Sequence, residues 1–290
     1  MIIARIIGGL GNQLFQYAVG RHLAKILGVD LKLDVSGFNT YKLHAYSLAP
    51  FNVKQVFSTA KENARMTGRG LGLCSRALLR ITGQRDKFLR THIAEAKQFY
   101  FDPAILTLPD GVYLDGYWQT EKYFLGIQDI IHEEFALKSA PAGRDLELAE
   151  QISSCESVSL HVRRGDYVTN SQTYKACGVC PLAYYEGAVK WLSESVRSPQ
   201  FFVFSDDIEW SRKNLSMPFP VTFVSHNGPD KNYEDLRLMS LCKHQIIANS
   251  SFSWWGAWLN RNPGKKVVAP KHWFKTRETI DLIPAGWMRI

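Results

Sequence analysis

Short β-branched segments alternate with helical ones at the start of this chain, lapse, and begin again after residue 146, which limits the chain to a parallel α/β architecture. Residues 2–7, the turn Gly8-Gly-Leu-Gly-Asn12, the helical stretch 13–27 and the strand-like stretch 29–35 open a βαβ unit, with Gly28 where a helix C-cap belongs. The middle stretch, 41–109, is less regular and reads as helices and loops elaborating the first domain. Residues 111–118 then read as a strand, followed by a helix containing Glu121 to Glu134. The second series has strands at 158–162, 201–205, 221–224, 245–249 and 266–269, and helices at 182–196, 208–214, 233–242 and 253–260. With 290 residues the chain is long enough for two cores. The small, turn-rich stretch 138–146 is the natural linker, so the domains are expected at 1–140 and 141–290.

Four of the five later strands end in polar residues: Arg163 and Arg164; Ser205, Asp206 and Asp207; Ser225 and His226; Asn249, Ser250 and Ser251. Open α/β sheets hold ligands at those ends. The stretch His161-Val-Arg-Arg-Gly-Asp-Tyr167 carries the most chemistry, since two guanidiniums and a carboxylate follow a buried strand. Adjacent arginines on a strand point to opposite faces, so one is expected to bind an anion and the other to brace. The alternative is a surface salt-bridge cluster. Asp206 and Asp207 diverge as well: one caps the helix that follows, and the other accepts hydrogen bonds from a base or ribose. In Asn249-Ser-Ser-Phe-Ser-Trp-Trp-Gly-Ala-Trp258 the serines either cap a helix or bind a diphosphate together with its N-terminus, and the tryptophans are core.

The glycine loop resembles a dinucleotide fingerprint, with Asp34 at the usual distance, but the third glycine position falls on Leu14 and no Lys-Ser/Thr follows to make a P-loop. Gly9, Gly11, Asn12 and Gln13 therefore read as a sugar- or phosphate-binding loop, or simply as a tight turn. A net charge of +8 favours an acidic partner. Basic residues are densest from Arg65 to Arg90 around the apolar stretch 71–81, either a membrane-surface helix or a solvated helix face. Cys177-Gly-Val-Cys180 is half a metal site or a redox pair at most, or a loop with two thiols. The strand-like N-terminus and the lack of a run of about 18 apolar residues point to a cytoplasmic protein.

Three segments taken together, 8–17, 161–167 and 249–259, resemble the α-1,2-fucosyltransferases of glycosyltransferase family 11 over what looks like the full length. Residues 116–124 resemble a fourth family segment, with Trp118 and Thr120 as mild departures. The resemblance implies a GT-B-like fold of two Rossmann-like domains, with the acceptor on the N-terminal one and the donor on the C-terminal one. It implies inverting transfer of L-fucose from GDP-β-L-fucose to the 2-hydroxyl of a terminal galactose. No cofactor and no obligatory metal are expected, and no nucleic-acid partner. The acceptor is expected to be a galactose-terminated glycan, lipid-linked in members that build surface polysaccharide, which suits peripheral contact with an anionic inner membrane. Arg163 takes the diphosphate by carry-over. Arg164, Gly9, Gly11, Asn12, Gln13, Glu121, Ser205, Asp206, Asp207, Asn249, Ser250, Ser251, Phe252 and Ser253 are candidate substrate contacts. Asp166 is the first candidate base, ahead of His161 and Glu121. Two other functions remain open from the residues: a non-catalytic nucleotide- or sugar-binding module, and a nicotinamide-dependent oxidoreductase resting on the glycine loop and Asp34.

Overall fold

The computed structural model describes residues 1–68 and 90–290, which form two compact units, Met1–Lys138 and Ser139–Ile290. Unit 1 carries a parallel sheet of four strands, β1 (Ile2–Arg5), β2 (Leu31–Asp34), β3 (His92–Ala94) and β4 (Tyr113–Asp115), in the order β2-β1-β4-β3. Ile2 and Ile3 are fully buried, as the strands of a covered parallel sheet must be. Helix α1 (Leu10–Leu27) packs Leu14, Phe15, Tyr17, Ala18 and Val19 inward, and Gly28 ends it at φ 66° by donating its N–H to the carbonyls of Ala24 and Lys25. Helix α2 (Ala60–Thr67) begins with a capping box between Thr59 and Glu62. The expected helix through Glu121 to Glu134 is broken instead into two 3-10 turns, Glu121–Tyr123 and Leu125–Ile127, before α3 (Gln128–Glu134). Gly126 sits where a Cβ would lie 2.9 Å from the His22 ring, so a bulkier residue does not fit at the break.

Unit 2 begins with α4 (Arg144–Ser153), which starts inside the stretch expected to be linker because Gly143, at φ 54°, turns the chain into the helix. There follow β5 (Ser157–Val162), the short helices α5 (Gly165–Thr169) and α6 (Ser171–Ala176), α7 (Leu182–Ser193), β6 (Gln200–Ser205), α8 (Ile208–Asn214) and β7 (Val221–Val224). Helix α9 (Asn232–Leu241), β8 (His244–Ile246), α10 (Ser251–Leu259), β9 (Val267–Ala269) and β10 (Met288–Arg289) complete it. All strand pairs are parallel, in the order β10-β9-β8-β5-β6-β7. Val158, Leu160, Val162, Phe201 and Val203 face α7, and Phe202, Phe204 and Val224 pack with Leu148, Ile152, Leu238 and Met239 in a second cluster. Successive residues thus face opposite layers, the alternation that strand geometry imposes.

Among the described residues no helix is long and apolar enough to cross a membrane. The apolar stretch 71–81, expected to be amphipathic, lies outside the described residues.

Candidate active site

The strand order of unit 2 reverses between β5 and β8, the chain winding outward through β6 and β7 on one side and β9 and β10 on the other. Ligands sit at the carboxyl ends of such a switch point. The chain leaves β5 at Val162, so both arginines lie beyond the strand and are not bound to opposite faces. Arg163 Nη2 donates to Asp166 Oδ1 at 2.5 Å, and Nη1 lies 2.9 Å from Asp206 Oδ2. Arg164 is held from three sides: its N–H donates to Asp206 Oδ1 at 2.8 Å, its Nε donates to Asp207 Oδ2 at 3.1 Å, and its guanidinium lies 3.9 Å from the centre of the Trp210 ring. Asp207 caps α8 by accepting from Trp210 N, and its own N–H donates to Ser205 Oγ. Gly165 is required here, since a Cβ would stand 2.5 Å from Asp206 Oδ2.

The arginines form an ion-pair cluster in which Asp206, the aspartate that does not cap α8, is a partner of Arg163. Asp166 is likewise no isolated base, because the Arg163 guanidinium occupies its Oδ1. His161, an alternative base candidate, is enclosed. Its ring is 4% exposed and packs 5.6 Å from that of Phe252, and burial, helped by the Arg163 charge, pulls its pKa down to about 3. A neutral, enclosed imidazole of that basicity is a poor acceptor for a sugar proton.

The third strand end, after β8, holds a clamp. Asn249 is buried; its Nδ2 donates to the carbonyls of Cys177, Gly178 and Trp273, while its Oδ1 lies 3.5 Å from Cys180 Sγ. Asn249, a candidate substrate contact, turns its amide to the CxxC loop and to the chain after β9. The buried Ser253 hydroxyl lies within hydrogen-bonding distance of Ala248 O, at 3.3 Å, and Ser250 O, at 3.2 Å. Ser250 caps α10 by accepting from Phe252 N, and Ser251 opens the helix. Tyr167 OH donates to Asn249 O at 3.1 Å while its ring lies 5.2 Å from the Arg163 guanidinium, joining the first strand end to the third. Burial pushes the Cys177 thiol up, against the opposing effects of the Tyr167 hydrogen bond and the Arg277 and Arg163 charges.

Unit 1 has a second switch point, between β1 and β4. Gln13, expected at a ligand, is fully buried: Nε2 donates to Gly8 O and Ala45 O, both at 2.8 Å, and Oε1 accepts from Ser47 N at 2.8 Å. It therefore ties the glycine turn to residues 45–47. Asn12 Oδ1 accepts from Gln119 Nε2 at 2.8 Å, bridging the ends of β1 and β4. Gly8 lies at φ 87°, where a Cβ would be 2.9 Å from Asn12 Nδ2; Gly9 is extended at the N-cap, where a Cβ would lie 3.4 Å from His44 Nε2; Gly11 is buried in the first turn of α1. After β4, Trp118 takes the left-handed φ of 54°, held there as Tyr117 N and Trp118 N donate to the Glu95 carboxylate at 2.7 and 3.1 Å. Glu121 begins the 3-10 turn that Thr120 caps. Asp34 is enclosed, accepting from Tyr113 OH at 2.6 Å and from Ser36 N at 2.9 Å, so its carboxylate is not presented to a ribose.

Trp210, Glu95 and His44 take part in this geometry from outside the motifs, and Tyr167 closes the 161–167 motif in a role its sequence did not mark. Only Trp210, four residues after Asp206, had a local signal.

The model of glycosyl transferase family 11 matches residues 1–290. An alpha-1,2-colitosyltransferase of Escherichia coli is 35% identical over 300 residues, covering 100% of this chain and 99% of that protein. The O-antigen biosynthesis glycosyltransferase WbnK of Escherichia coli is 32% identical, covering 98% of each. Among solved structures, NodZ alpha-1,6-fucosyltransferase soaked with GDP-fucose aligns with a TM-score of 0.51 at 17% identity, covering 91% of this chain and 96% of that one. That likeness is one of fold, the GT-B-like arrangement of two α/β units each built on a parallel sheet.

Proposed function

This chain belongs to glycosyl transferase family 11, and on that premise we propose that it transfers L-fucose from GDP-β-L-fucose to the 2-hydroxyl of a terminal galactose, inverting to an α linkage, in building a surface-polysaccharide repeat. The observation that carries the reading is Arg163 at the switch point of unit 2, held by two partly exposed carboxylates that a diphosphate can replace. Breaking the sugar C1–O bond leaves negative charge on GDP and positive charge on the sugar. A fixed guanidinium at the diphosphate therefore favours the transition state over the ground state. Arginine suits this role through its permanent charge and its fork of donors. When the diphosphate takes Arg163, Asp166 is released from its ion pair and becomes the base for the acceptor hydroxyl. Arg164, locked on Asp207 and Trp210, braces the loop. With the cationic work done by arginine, the reaction is proposed to need no metal.

A second donor is favoured by one specific observation, the colitosyl relative at 35% identity. Colitose is L-fucose without its 3-hydroxyl, so the same machinery serves either sugar, and whatever contacts that hydroxyl decides. Incubating the protein with lactose and either GDP-fucose or GDP-colitose, with chelator present, tests both. Fucosyl-lactose and GDP are the expected products; colitosyl product alone would reassign the donor, and no product from either would overturn the proposal.

A further inference from the structure

The turn after β4, residues 116–119, is held in a strained shape. Trp118 is left-handed at φ 54°, a conformation that an aromatic residue keeps only where its surroundings impose it, and such outliers gather where chains meet ligands. Glu95 imposes it here, its carboxylate accepting from Tyr117 N at 2.7 Å and from Trp118 N at 3.1 Å. Gly116 allows the close approach, since a Cβ there would stand 2.4 Å from Glu95 Cβ. Burial pushes the Glu95 carboxyl up in spite of its two donors, so the turn is secured by a group held largely out of water. Resting on the proposed galactoside acceptor, we infer that Gln119, at the end of this turn, binds a hydroxyl of the acceptor's terminal sugar, and that Glu95 is the positioning residue that sets it there.

Joining the ends of β1 and β4 does not account for Gln119, because a buried amide already does so. Gln16, 1% exposed, accepts at Oε1 from Ile7 N at 2.9 Å and donates from Nε2 to Gly116 O at 3.2 Å. Gln119 makes a second, outer bridge. It is half-buried, its Nε2 donates to Asn12 Oδ1 at 2.8 Å, and among the described residues its Oε1 receives no hydrogen bond. An amide fixed through its nitrogen offers that oxygen as an oriented acceptor. The surrounding charges decide what kind of ligand suits it. Arg5 and His92 are joined on Asp115, at 2.7 and 3.0 Å, and the Glu95 carboxylate is turned onto the backbone. A neutral polyol, each hydroxyl of which can donate, therefore matches this end of unit 1, whereas a diphosphate would meet an amide oxygen of the same sign as its own.

The test is steady-state transfer to lactose, and to lactose analogues lacking the 3-, 4- or 6-hydroxyl of the galactose as substrates or inhibitors, by the wild type, Gln119→Ala, Glu95→Gln and the double variant. Losing one neutral hydrogen bond should raise the KM for lactose about 3- to 10-fold in Gln119→Ala and leave the KM for the GDP-sugar unchanged. For the analogue that lacks the contacted hydroxyl, wild type and Gln119→Ala should not differ, an equality that loss of structure does not produce. Glu95→Gln, with one acceptor oxygen for two N–H groups, should also raise the KM for lactose, and the two losses should not add in the double variant, because Glu95 acts through Gln119. Melting temperatures check that each variant is folded. An unchanged KM for lactose in folded Gln119→Ala, the same rise for every analogue, or additive losses in the double variant would overturn the inference. Absence of transfer to lactose by the wild type from either GDP-fucose or GDP-colitose would instead overturn the reading on which it rests.

Discussion

The strand ends of the two units, each on a parallel sheet, hold their polar side chains in different ways. In unit 1 the strand-end charges are paired, Arg5 with Asp115 at 2.7 Å and Asp34 with Tyr113 OH, and the amides beyond them, Gln13, Asn12 and Gln119, bond to the main chain or to one another. In unit 2 the strand-end side chains are charges at 24% and 26% side-chain exposure for Arg163 and Asp206. The energetic consequence differs in kind. A partly exposed ion pair contributes about 0–1 kcal/mol, so exchanging its partner for a phosphate costs little. A buried group left without its partner costs roughly 1–3 kcal/mol. One set of strand ends is therefore built to hold a shape, and the other to change partners.

The largest effect should come from Arg163→Ala. It should lower turnover by about 10²–10³, roughly 3–4 kcal/mol of transition-state stabilisation, while the melting temperature stays near wild type. Steady-state transfer to lactose beside a thermal melt checks both halves; a folded variant with near-normal turnover would break the distinction. In unit 1, Gln13→Leu should do the reverse, destabilising by about 2–4 kcal/mol because the carbonyls of Gly8 and Ala45 and the N–H of Ser47 lose their partners. Urea denaturation measures this. Asn249→Leu sharpens the comparison from inside unit 2: its amide belongs to the shape-holding kind, so stability should fall by about 2–4 kcal/mol even though it borders the charged cluster.

A pH effect separates the units further. The unfolded chain protonates His161 near its ordinary value of about 6.5, whereas the folded imidazole resists until about 3. Between those values the unfolded state binds the extra proton, so this residue's contribution to stability is complete above about 6.5 and declines as pH falls towards 3. His161→Gln should flatten the loss of stability between pH 7 and 5; an unchanged slope would contradict it. The smallest effect is expected for Trp210→Leu, which removes the stacking of Arg164 for about 0.5–1 kcal/mol.

Strand alternation made most of both parallel sheets legible, though not the short β3 and β10, and of the two aspartates expected to supply the cap of α8 it is Asp207 that does. The partners of Gln13 and Asn249 could not be read, because an amide suited to a sugar is equally suited to a carbonyl. Which one it meets depends on Ala45 and Trp273, far away in sequence. The same holds for Arg163, whose second partner Asp206 is brought alongside only by the pairing of β5 with β6. The segment that carries Trp273 has no periodicity to mark it, and its place follows from β9 lying next to β8.

The most direct test of partner exchange is a crystal structure with GDP bound. The Arg163 guanidinium should leave Asp206, now 2.9 Å away, and contact the diphosphate; GDP bound with that ion pair intact would contradict the account.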